Sequence, residues 1–306
     1  MSGSHNAATA SVPVSPWARW LLAARPKTLP LTVTPVIAGI ALAVAATGDF
    51  APWAALCTLF GAVAIQIGTN LYNDAADFER GTDTPDRLGP QRATAQGWFT
   101  ARQVKTAAHL MFALAFVLGI LLLFRGGWPI LLIGLASLAA GYSYTGGPRP
   151  IAYGPFGEIY VLLFFGLAAV GGTYYLQTLS FGWPAFWTGV ALGLPAAAVL
   201  VVNNYRDLET DRLAGRRTLC HYLDRPRARW FYAALLLLPI PILASAGLPG
   251  ASWPLIAALP LAAVLVRRLF RGATGEVLNR QLAQTALYQM LLVLLMVVGF
   301  LLAGRS

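Results

Sequence analysis

The amino-acid sequence predicts an all-α membrane protein whose chain crosses the bilayer many times. Hydrophobic residues make up 57% of the 306 residues and charged residues only 11%, whereas a soluble domain carries about a quarter charged residues. The apolar residues also form several runs near the ~20 residues that a helix needs to cross a bilayer. A large soluble helical protein is disfavoured, because most of these runs lack the polar face that soluble helices keep.

Turn residues divide the apolar sequence into about nine predicted spans. Glycine and proline, which interrupt helices, cluster between Gly48 and Pro52, at Gly126-Gly127, at Gly182 and at Pro249-Gly250. The spans cover roughly residues 29–47, 53–74, 103–124, 128–145, 157–178, 185–205, 229–247, 252–266 and 284–303. Residues 1–16 are small and polar, so we expect a disordered cytoplasmic leader followed by a single membrane domain over residues 17–306.

The basic residues predict the orientation of the chain. With nine spans, twenty of the 22 Lys and Arg residues fall on the side of the N-terminus, and only Arg125 and Arg305 fall on the other side. The positive-inside rule then places the N-terminus in the cytoplasm, and we expect a bacterial cytoplasmic membrane protein. The net charge of +10 is explained by this topology, so we expect no nucleic-acid partner.

A first cluster of carboxylates closes the second span. Asn70, Asp74 and Asp77 lie at i, i+4 and i+7, which places them on one face if the span continues as a helix. Asp83, Arg87 and Arg92 follow in the loop.

A second cluster closes the sixth span. Asn203, Asp207 and Asp211 lie at i, i+4 and i+8, and Arg206 and Arg212 are interleaved with them. Because Asn-x-x-x-Asp ends both spans, four helices apart, the chain is predicted to hold two related four-helix halves, spans 1–4 and 5–8, plus a ninth helix.

The chemistry of these clusters suits a diphosphate held through a metal. Carboxylates at the mouth of a membrane helix are costly unless they are paired or metal-bound. Carboxylate oxygens suit Mg²⁺, which also takes water and substrate phosphates, and arginine suits bidentate phosphate contact. Two alternatives remain: solvated helix ends with local Asp–Arg pairs, and an ion-coupled transporter, whose site would lie near the bilayer midplane.

The two clusters resemble the motifs of the UbiA-type membrane prenyltransferases. The family signature, Asn-Asp-x-x-Asp with a further Asp and a second Asp-x-x-x-Asp, is matched by Asn73-Asp74-x-x-Asp77 with Asp83, and by Asp207-x-x-x-Asp211. The sequence is most similar to the branch that prenylates 1,4-dihydroxy-2-naphthoate. That closer match is carried by residues 25–30, 81–92, 144–150 and 203–219.

This resemblance implies a bundle with a central cavity that opens to the cytoplasmic side. It also implies Mg²⁺, a polyprenyl diphosphate donor and the naphthoate acceptor, whose carboxylate leaves as CO₂; 4-hydroxybenzoate, homogentisate or another acceptor is the alternative. The implied metal-binding carboxylates are Asp74, Asp77, Asp83, Asp207 and Asp211. The implied diphosphate-binding residues are Asn70, Arg87, Arg92, Asn203, Arg206 and Arg212.

A smaller set of residues is predicted to act on the acceptor or on the allylic cation. Tyr144, Arg149 and Glu158 belong to this set, and the ring face of Tyr144 would stabilise a cation. Lys27 is predicted to bind the acceptor carboxylate or a phosphate. A topology anchor is the alternative role of this lysine.

Overall fold

The computed structural model of the protein describes residues 15–82, 89, 92–250 and 252–303, and these residues contain helices but no β-strand. The long helices are α2 (Pro30–Thr47), α3 (Pro52–Glu79), α4 (Ala101–Ser143), α5 (Gly157–Thr178), α6 (Trp183–Arg206), α8 (Leu219–Ser245), α9 (Trp253–Phe270) and α10 (Val277–Ala303). Two shorter helices are α1 (Pro16–Ala24) and α7 (Leu208–Leu213). The predicted site residues Asp83 and Arg87, and residues 1–14 of the predicted leader, lie outside the described residues.

The predicted fold class is confirmed. Within the part of the chain that the structure describes, eight helices are long and apolar enough to cross a membrane, α2 to α6 and α8 to α10. The difference from nine predicted spans lies in α4, which has 43 residues and joins the predicted span 103–124 to all but the last two residues of the predicted span 128–145.

Helix α4 is a hairpin of two arms. Gly127, at φ 61° and ψ −154°, breaks the helical path between residues 101–126 and 128–143. The arms lie side by side, since a Cβ added to Gly141 would lie 3.3 Å from a ring carbon of Phe112. A straight helix of this length would extend ~65 Å, about twice the apolar thickness of a bilayer. Glycine is strongly favoured here because a Cβ makes a positive φ at this ψ costly.

Helix α6 lies at the centre of the bundle and is its most buried span. It packs against α5, α8 and α10. The contact with α5 is unusually close, because a Cβ on Gly166 would lie 2.3 Å from the Gly189 carbonyl oxygen and 2.8 Å from Gly193 Cα. Small residues allow membrane helices to approach in this way. Helix α5 adopts a π-helical path over Leu163–Gly171 at this contact.

The two carboxylate clusters lie at the C-terminal ends of α3 and α6. Helix α3 continues to Glu79, so Asp74 and Asp77 belong to its last turns. Helix α6 ends at Arg206, and Asp207 (φ −92°, ψ 9°) separates it from α7. The second cluster therefore does not lie on one continuous helix, although the Asp207 amide still donates to the Asn203 carbonyl at 3.0 Å and the Asp211 amide to the Asp207 carbonyl at 2.8 Å.

Helix α1 precedes the first predicted span and is amphipathic. Trp20 stacks on Phe99 with ring centroids 4.0 Å apart, whereas Trp17 is 85% exposed and Leu21 is 61% exposed. A short helix with one apolar face unpacked suits the membrane interface, where tryptophan is enriched.

Candidate active site

A cavity of about 1250 Å³ joins the two clusters to the interior of the bundle. Its polar end includes Asn70, Asn73 and Asp77 from α3, Asn203 from the last turn of α6, and Asp207 directly after that helix. Most of the rest is lined by apolar residues, many of them from both arms of α4 and from α5. A polar end joined to a long apolar space suits a ligand with a charged head and a hydrocarbon tail.

Most predicted site residues meet in this cavity. Those that line it are Lys27, Asn70, Asp77, Arg92, Tyr144, Asn203, Arg206, Asp207 and Asp211. Four others do not line it: Asp74, Arg149, Glu158 and Arg212. Arg149 and Arg212 are exposed, and Arg212 lies 3.6 Å from Glu209.

Asp77, one of the predicted metal ligands, is paired with two arginines. Its Oδ2 accepts from Arg92 at 3.0 Å, and its Oδ1 accepts from Arg216 at 2.8 Å and from the Tyr153 hydroxyl at 3.1 Å. The carboxylate is only 2% exposed, and a buried carboxylate needs such partners to stay ionised. Asp77 therefore lies where two arginines from different chain segments converge, with a tyrosine hydroxyl as a third donor.

Asp74 has a different environment from Asp77. Its Oδ2 accepts from the Ala93 amide at 2.7 Å and its Oδ1 from the Thr94 amide at 3.0 Å. The Thr94 hydroxyl also donates to this carboxylate. Both oxygens are thus used to fix the loop that carries Arg92, and a metal would have to displace these bonds. The metal role of Asp74 stays a prediction.

The second cluster is organised by Arg206. Its guanidinium donates to both oxygens of Asp207, at 2.7 and 2.6 Å. It also donates to Asn203 at 3.0 Å and to Asn279 of α10 at 2.7 Å. A planar guanidinium suits this forked geometry, and it fixes Asp207 at the edge of the cavity.

Arg216 and Tyr153 were missed by the sequence predictions. Arg216 lies 3.6 Å from Asp211 in addition to its bond with Asp77, and its guanidinium lies 4.4 Å from the centre of the Tyr153 ring. Burial disfavours the charged guanidinium, but the Asp77 carboxylate outweighs this and raises the pKa of Arg216 above its ordinary value. The sequence did contain one indication that Arg216 is functional, because this residue lies in the stretch 203–219 that carries the family resemblance.

Glu158 lies behind the polar end of the cavity. It is 3% exposed, one oxygen accepts from Asn204 at 3.0 Å, and the other has no hydrogen-bond partner among the described residues. Tyr144 lies near it at the cavity wall. Desolvation, and secondly the negative charge of Glu158, raise the pKa of the Tyr144 hydroxyl above its ordinary value.

Asn70 positions the segment that carries Lys27. Its amide donates to the Ala24 carbonyl and the Thr28 hydroxyl, both at 3.0 Å. These bonds tie the connection between α1 and α2 to α3. Lys27 itself is exposed at the cavity mouth.

Comparison with known proteins identifies the family. The model of the UbiA prenyltransferase family matches residues 32–293. The chain belongs to this family. A 1,4-dihydroxy-2-naphthoate octaprenyltransferase of Mycobacterium tuberculosis is 41% identical over 72% of this prenyltransferase and 75% of its own length. The proteins of the same name from Mycobacterium leprae and Escherichia coli are 37% and 35% identical, over 89% and 93% of the prenyltransferase and 92% and 95% of their own lengths.

Solved structures share the fold of this prenyltransferase. A UbiA homolog from Archaeoglobus fulgidus bound to GPP and Mg²⁺ has a TM-score of 0.67 at 18% identity, with 94% of this chain and 99% of that chain covered. The apo structure of a UbiA homolog from Aeropyrum pernix K1 has a TM-score of 0.67 at 14% identity, with 92% and 99% covered.

The oxygen donors of the prenyltransferase fit Mg²⁺ shared with a diphosphate. Among the residues that the structure describes, no three His, Cys, Asp or Glu side chains lie together as a metal cage. Asp77, Asp207 and Asp211 nevertheless line one cavity together with Asn73 and Asn203. Mg²⁺ is commonly held by one or two carboxylates plus substrate phosphates rather than by an all-protein cage, so this donor set is compatible with the ion.

Proposed function

We propose that the protein transfers a polyprenyl group from a polyprenyl diphosphate to 1,4-dihydroxy-2-naphthoate, with Mg²⁺ as its metal. One observation carries the proposal: carboxylates and arginines from two helix ends meet at the polar end of a cavity whose remainder is apolar. The curated relatives named as naphthoate octaprenyltransferases support the acceptor and the long donor.

The polar end would hold the diphosphate. Arg92, Arg206 and Arg216 line it, and each can offer paired N–H donors to phosphate oxygens. Asp77, Asp207 and Asp211 would hold Mg²⁺, with Asn73 and Asn203 as neutral oxygen donors. When bound, Mg²⁺ supplies charge that stabilises the leaving diphosphate. Preorganised positive charge of this kind is usually the largest contribution to such catalysis.

The reaction then separates the C–O bond of the donor. The electron pair of that bond leaves with the diphosphate, and the prenyl group becomes an allylic cation. The ring of Tyr144, at the cavity wall, would stabilise this cation through its face. The electron-rich ring carbon that bears the carboxylate would form the new C–C bond to the cation. The bond from that carbon to the carboxylate then breaks, and its electron pair restores the aromatic ring as CO₂ leaves.

The apolar part of the cavity would hold the prenyl chain. Phe116 and Ile120 of the first α4 arm and Leu131 and Leu135 of the second line this space, and each is at least 40% exposed. The cavity wall is therefore continuous with the lipid-facing surface, which suits entry of a lipid donor. With the positive-inside rule, the polar end faces the cytoplasm of a bacterium, with the N-terminus on the same side.

A product assay tests this proposal. Purified protein in detergent receives Mg²⁺, a radiolabelled polyprenyl diphosphate and either 1,4-dihydroxy-2-naphthoate or 4-hydroxybenzoate, with EDTA as the control. We expect an EDTA-sensitive prenylated naphthol. Product from 4-hydroxybenzoate alone would refute the acceptor, and no product from folded protein with either acceptor would refute the function.

Ion-coupled transport is the second candidate, and the placement of the carboxylates argues against it. Transport sites lie near the bilayer midplane. Asp77 is instead two residues from the end of α3, and Asp207 directly follows the end of α6.

A further inference from the structure

A single guanidinium connects the two carboxylate clusters. Arg216 Nη2 lies 2.8 Å from Asp77 Oδ1, and Arg216 Nη1 lies 3.6 Å from Asp211 Oδ1. The two carboxylates belong to helices α3 and α7, and Asp77 is separated from Arg216 by 139 positions in the sequence. Arg216 therefore neutralises both clusters at once, at the place where their oxygens face each other.

The backbone that carries Arg216 is held by its own hydrogen bonds, separately from the side chain, whose Nη2 donates to Asp77 at 2.8 Å and to the Thr82 hydroxyl at 3.0 Å. The Arg216 amide donates to the Asp211 carbonyl at 2.8 Å, and the Arg217 amide donates to the Tyr153 carbonyl at 2.9 Å. The side chain lines the cavity and its Nε makes no hydrogen bond among the described residues. A rotation of the side chain would thus carry the charge from the carboxylates into the cavity without disturbing the loop.

The guanidinium and Mg²⁺ compete for the same oxygens. Asp77 Oδ2 accepts from Arg92 at 3.0 Å, and Oδ1 accepts from Arg216 at 2.8 Å and from the Tyr153 hydroxyl at 3.1 Å, so a metal that binds Oδ1 must displace Arg216. Two cations on neighbouring carboxylate oxygens also repel each other strongly in a site of low dielectric constant. The ion therefore gains full access to Asp77 and Asp211 only when Arg216 withdraws.

We propose that Arg216 is a resident counter-cation that links metal binding to donor binding. This inference rests on the proposed function and goes beyond it. Without donor, Arg216 occupies Asp77 and Asp211 and keeps the affinity for the bare metal low. When a diphosphate arrives with Mg²⁺, the guanidinium moves to phosphate oxygens, which are strong bidentate partners for arginine. Each ligand then raises the affinity for the other, as thermodynamic linkage requires.

The test measures metal binding without turnover. Mn²⁺ replaces Mg²⁺ and is titrated into the detergent-purified full chain, and free Mn²⁺ is followed by electron paramagnetic resonance. The titration is made with and without geranyl S-thiodiphosphate, an unreactive donor. The variants are Arg216→Gln and, as a matched control, Arg217→Gln, which changes an exposed arginine of the same loop that does not line the cavity.

We expect Arg216→Gln to change the affinities for Mn²⁺ and for the thiodiphosphate in opposite directions. Without donor, Arg216→Gln should bind Mn²⁺ about tenfold more tightly than the unmodified protein, a change of ~1.4 kcal/mol. With Mn²⁺ present, the same variant should bind the thiodiphosphate about tenfold more weakly, so that the thiodiphosphate enhances Mn²⁺ affinity far less. Arg217→Gln should match the unmodified protein in both titrations.

Unchanged or weaker Mn²⁺ binding by Arg216→Gln in the absence of donor overturns the inference. If that variant does not fold, Arg216→Lys replaces it, and a smaller gain in Mn²⁺ affinity is expected because one ammonium group cannot span both carboxylates. If the unmodified protein makes prenylated product but the Arg216 variant shows no rise in Mn²⁺ affinity, this inference is rejected and the proposed function is kept. An unmodified protein that makes no product rejects the proposed function instead.

Discussion

The carboxylate of Asp74 is bonded to the backbone of Thr94, with Asp74 Oδ1 3.0 Å from the Thr94 nitrogen. Its other oxygen accepts from the neighbouring Ala93 amide. Three residues further along α3, Asp77 lines the cavity and pairs with two arginines. The two carboxylates of this motif therefore have different roles. Asp74 holds the loop that carries Arg92, and Asp77 faces the cavity.

Substitution of Asp74 should act first on stability. Asp74→Ala leaves the buried amides of Ala93 and Thr94 without their acceptor, and each such loss costs ~1–3 kcal/mol. We expect a lower thermal midpoint in detergent, and a smaller decrease for Asp74→Asn, which keeps one acceptor oxygen. Mn²⁺ titration of Asp74→Asn distinguishes this role from metal binding. A stable variant that has lost Mn²⁺ affinity would favour the metal role.

Substitution of Asp77 should act on turnover. Asp77→Asn removes the charge on which Arg92 and Arg216 converge, and we expect kcat to fall at least ~100-fold, as when a charge-stabilising group is removed from an active site. Glu209→Gln is the matched control, because Glu209 is an acidic residue of α7 that does not line the cavity and whose side chain is 66% exposed. Near-normal turnover in Asp77→Asn, with normal turnover in Glu209→Gln, would be incompatible with the proposed site.

Two glycines should set the length of the donor that the cavity accepts. Gly119 and Gly134 line the cavity from the two arms of α4, and a Cβ at either position would meet no atom within 4 Å. The depth of Gly119 follows from its neighbour Leu118, which lies beside Gly61 of α3. At the helical rise, Gly61 is ~24 Å from Asp77 along α3. A bulky side chain at this depth would fill the far part of the cavity.

Gly119→Phe and Gly134→Phe should therefore turn over geranyl diphosphate normally but lose activity with an octaprenyl donor. Competition between the two donors in one reaction, with products separated by chain length, measures the shift. Gly171→Phe is the control, since Gly171 has open space around it but does not line the cavity. An equal loss of activity with both donors in the α4 variants would contradict the assignment of this part of the cavity to the prenyl chain.

Tyr144 should act through its ring rather than through its hydroxyl. We expect Tyr144→Phe to keep kcat within about threefold and Tyr144→Leu to lower it about tenfold, within the range of cation–π energies. Desolvation and the charge of Glu158 raise the pKa of Tyr144, so its neutral form persists to higher pH than in an ordinary tyrosine. The pH profiles of kcat for the Phe variant and the unmodified protein should then coincide between about pH 6 and 9. A Phe variant as slow as the Leu variant would show that the hydroxyl is required.

The sequence predicted the features that depend on local pattern. Apolar runs located the spans, and Gly126-Gly127 with Pro129 marked the turn where α4 folds back. The spacing of Asn70, Asp74 and Asp77 indicated one face of a helix, and α3 does continue past all three.

The features that depend on tertiary contacts could not be predicted from the sequence. The distinct environments of Asp74 and Asp77 arise from the path of the loop through Ala93 and Thr94, which no spacing specifies. Arg216 was missed because its main partner, Asp77, is remote in the chain. Arg212 looked equivalent to Arg216 in the sequence, but it lies on the exposed side of α7.

The most direct test of the proposed reaction measures its two leaving groups together. The protein receives an octaprenyl diphosphate and 1,4-dihydroxy-2-naphthoate labelled with ¹³C in the carboxyl group, and labelled CO₂, diphosphate and prenylated product are measured in the same sample. We predict equal amounts of all three and none in Asp77→Asn. Diphosphate release without prenylated product and labelled CO₂ would contradict decarboxylating prenyl transfer, and a product that retains the label would assign the protein to a different prenylation.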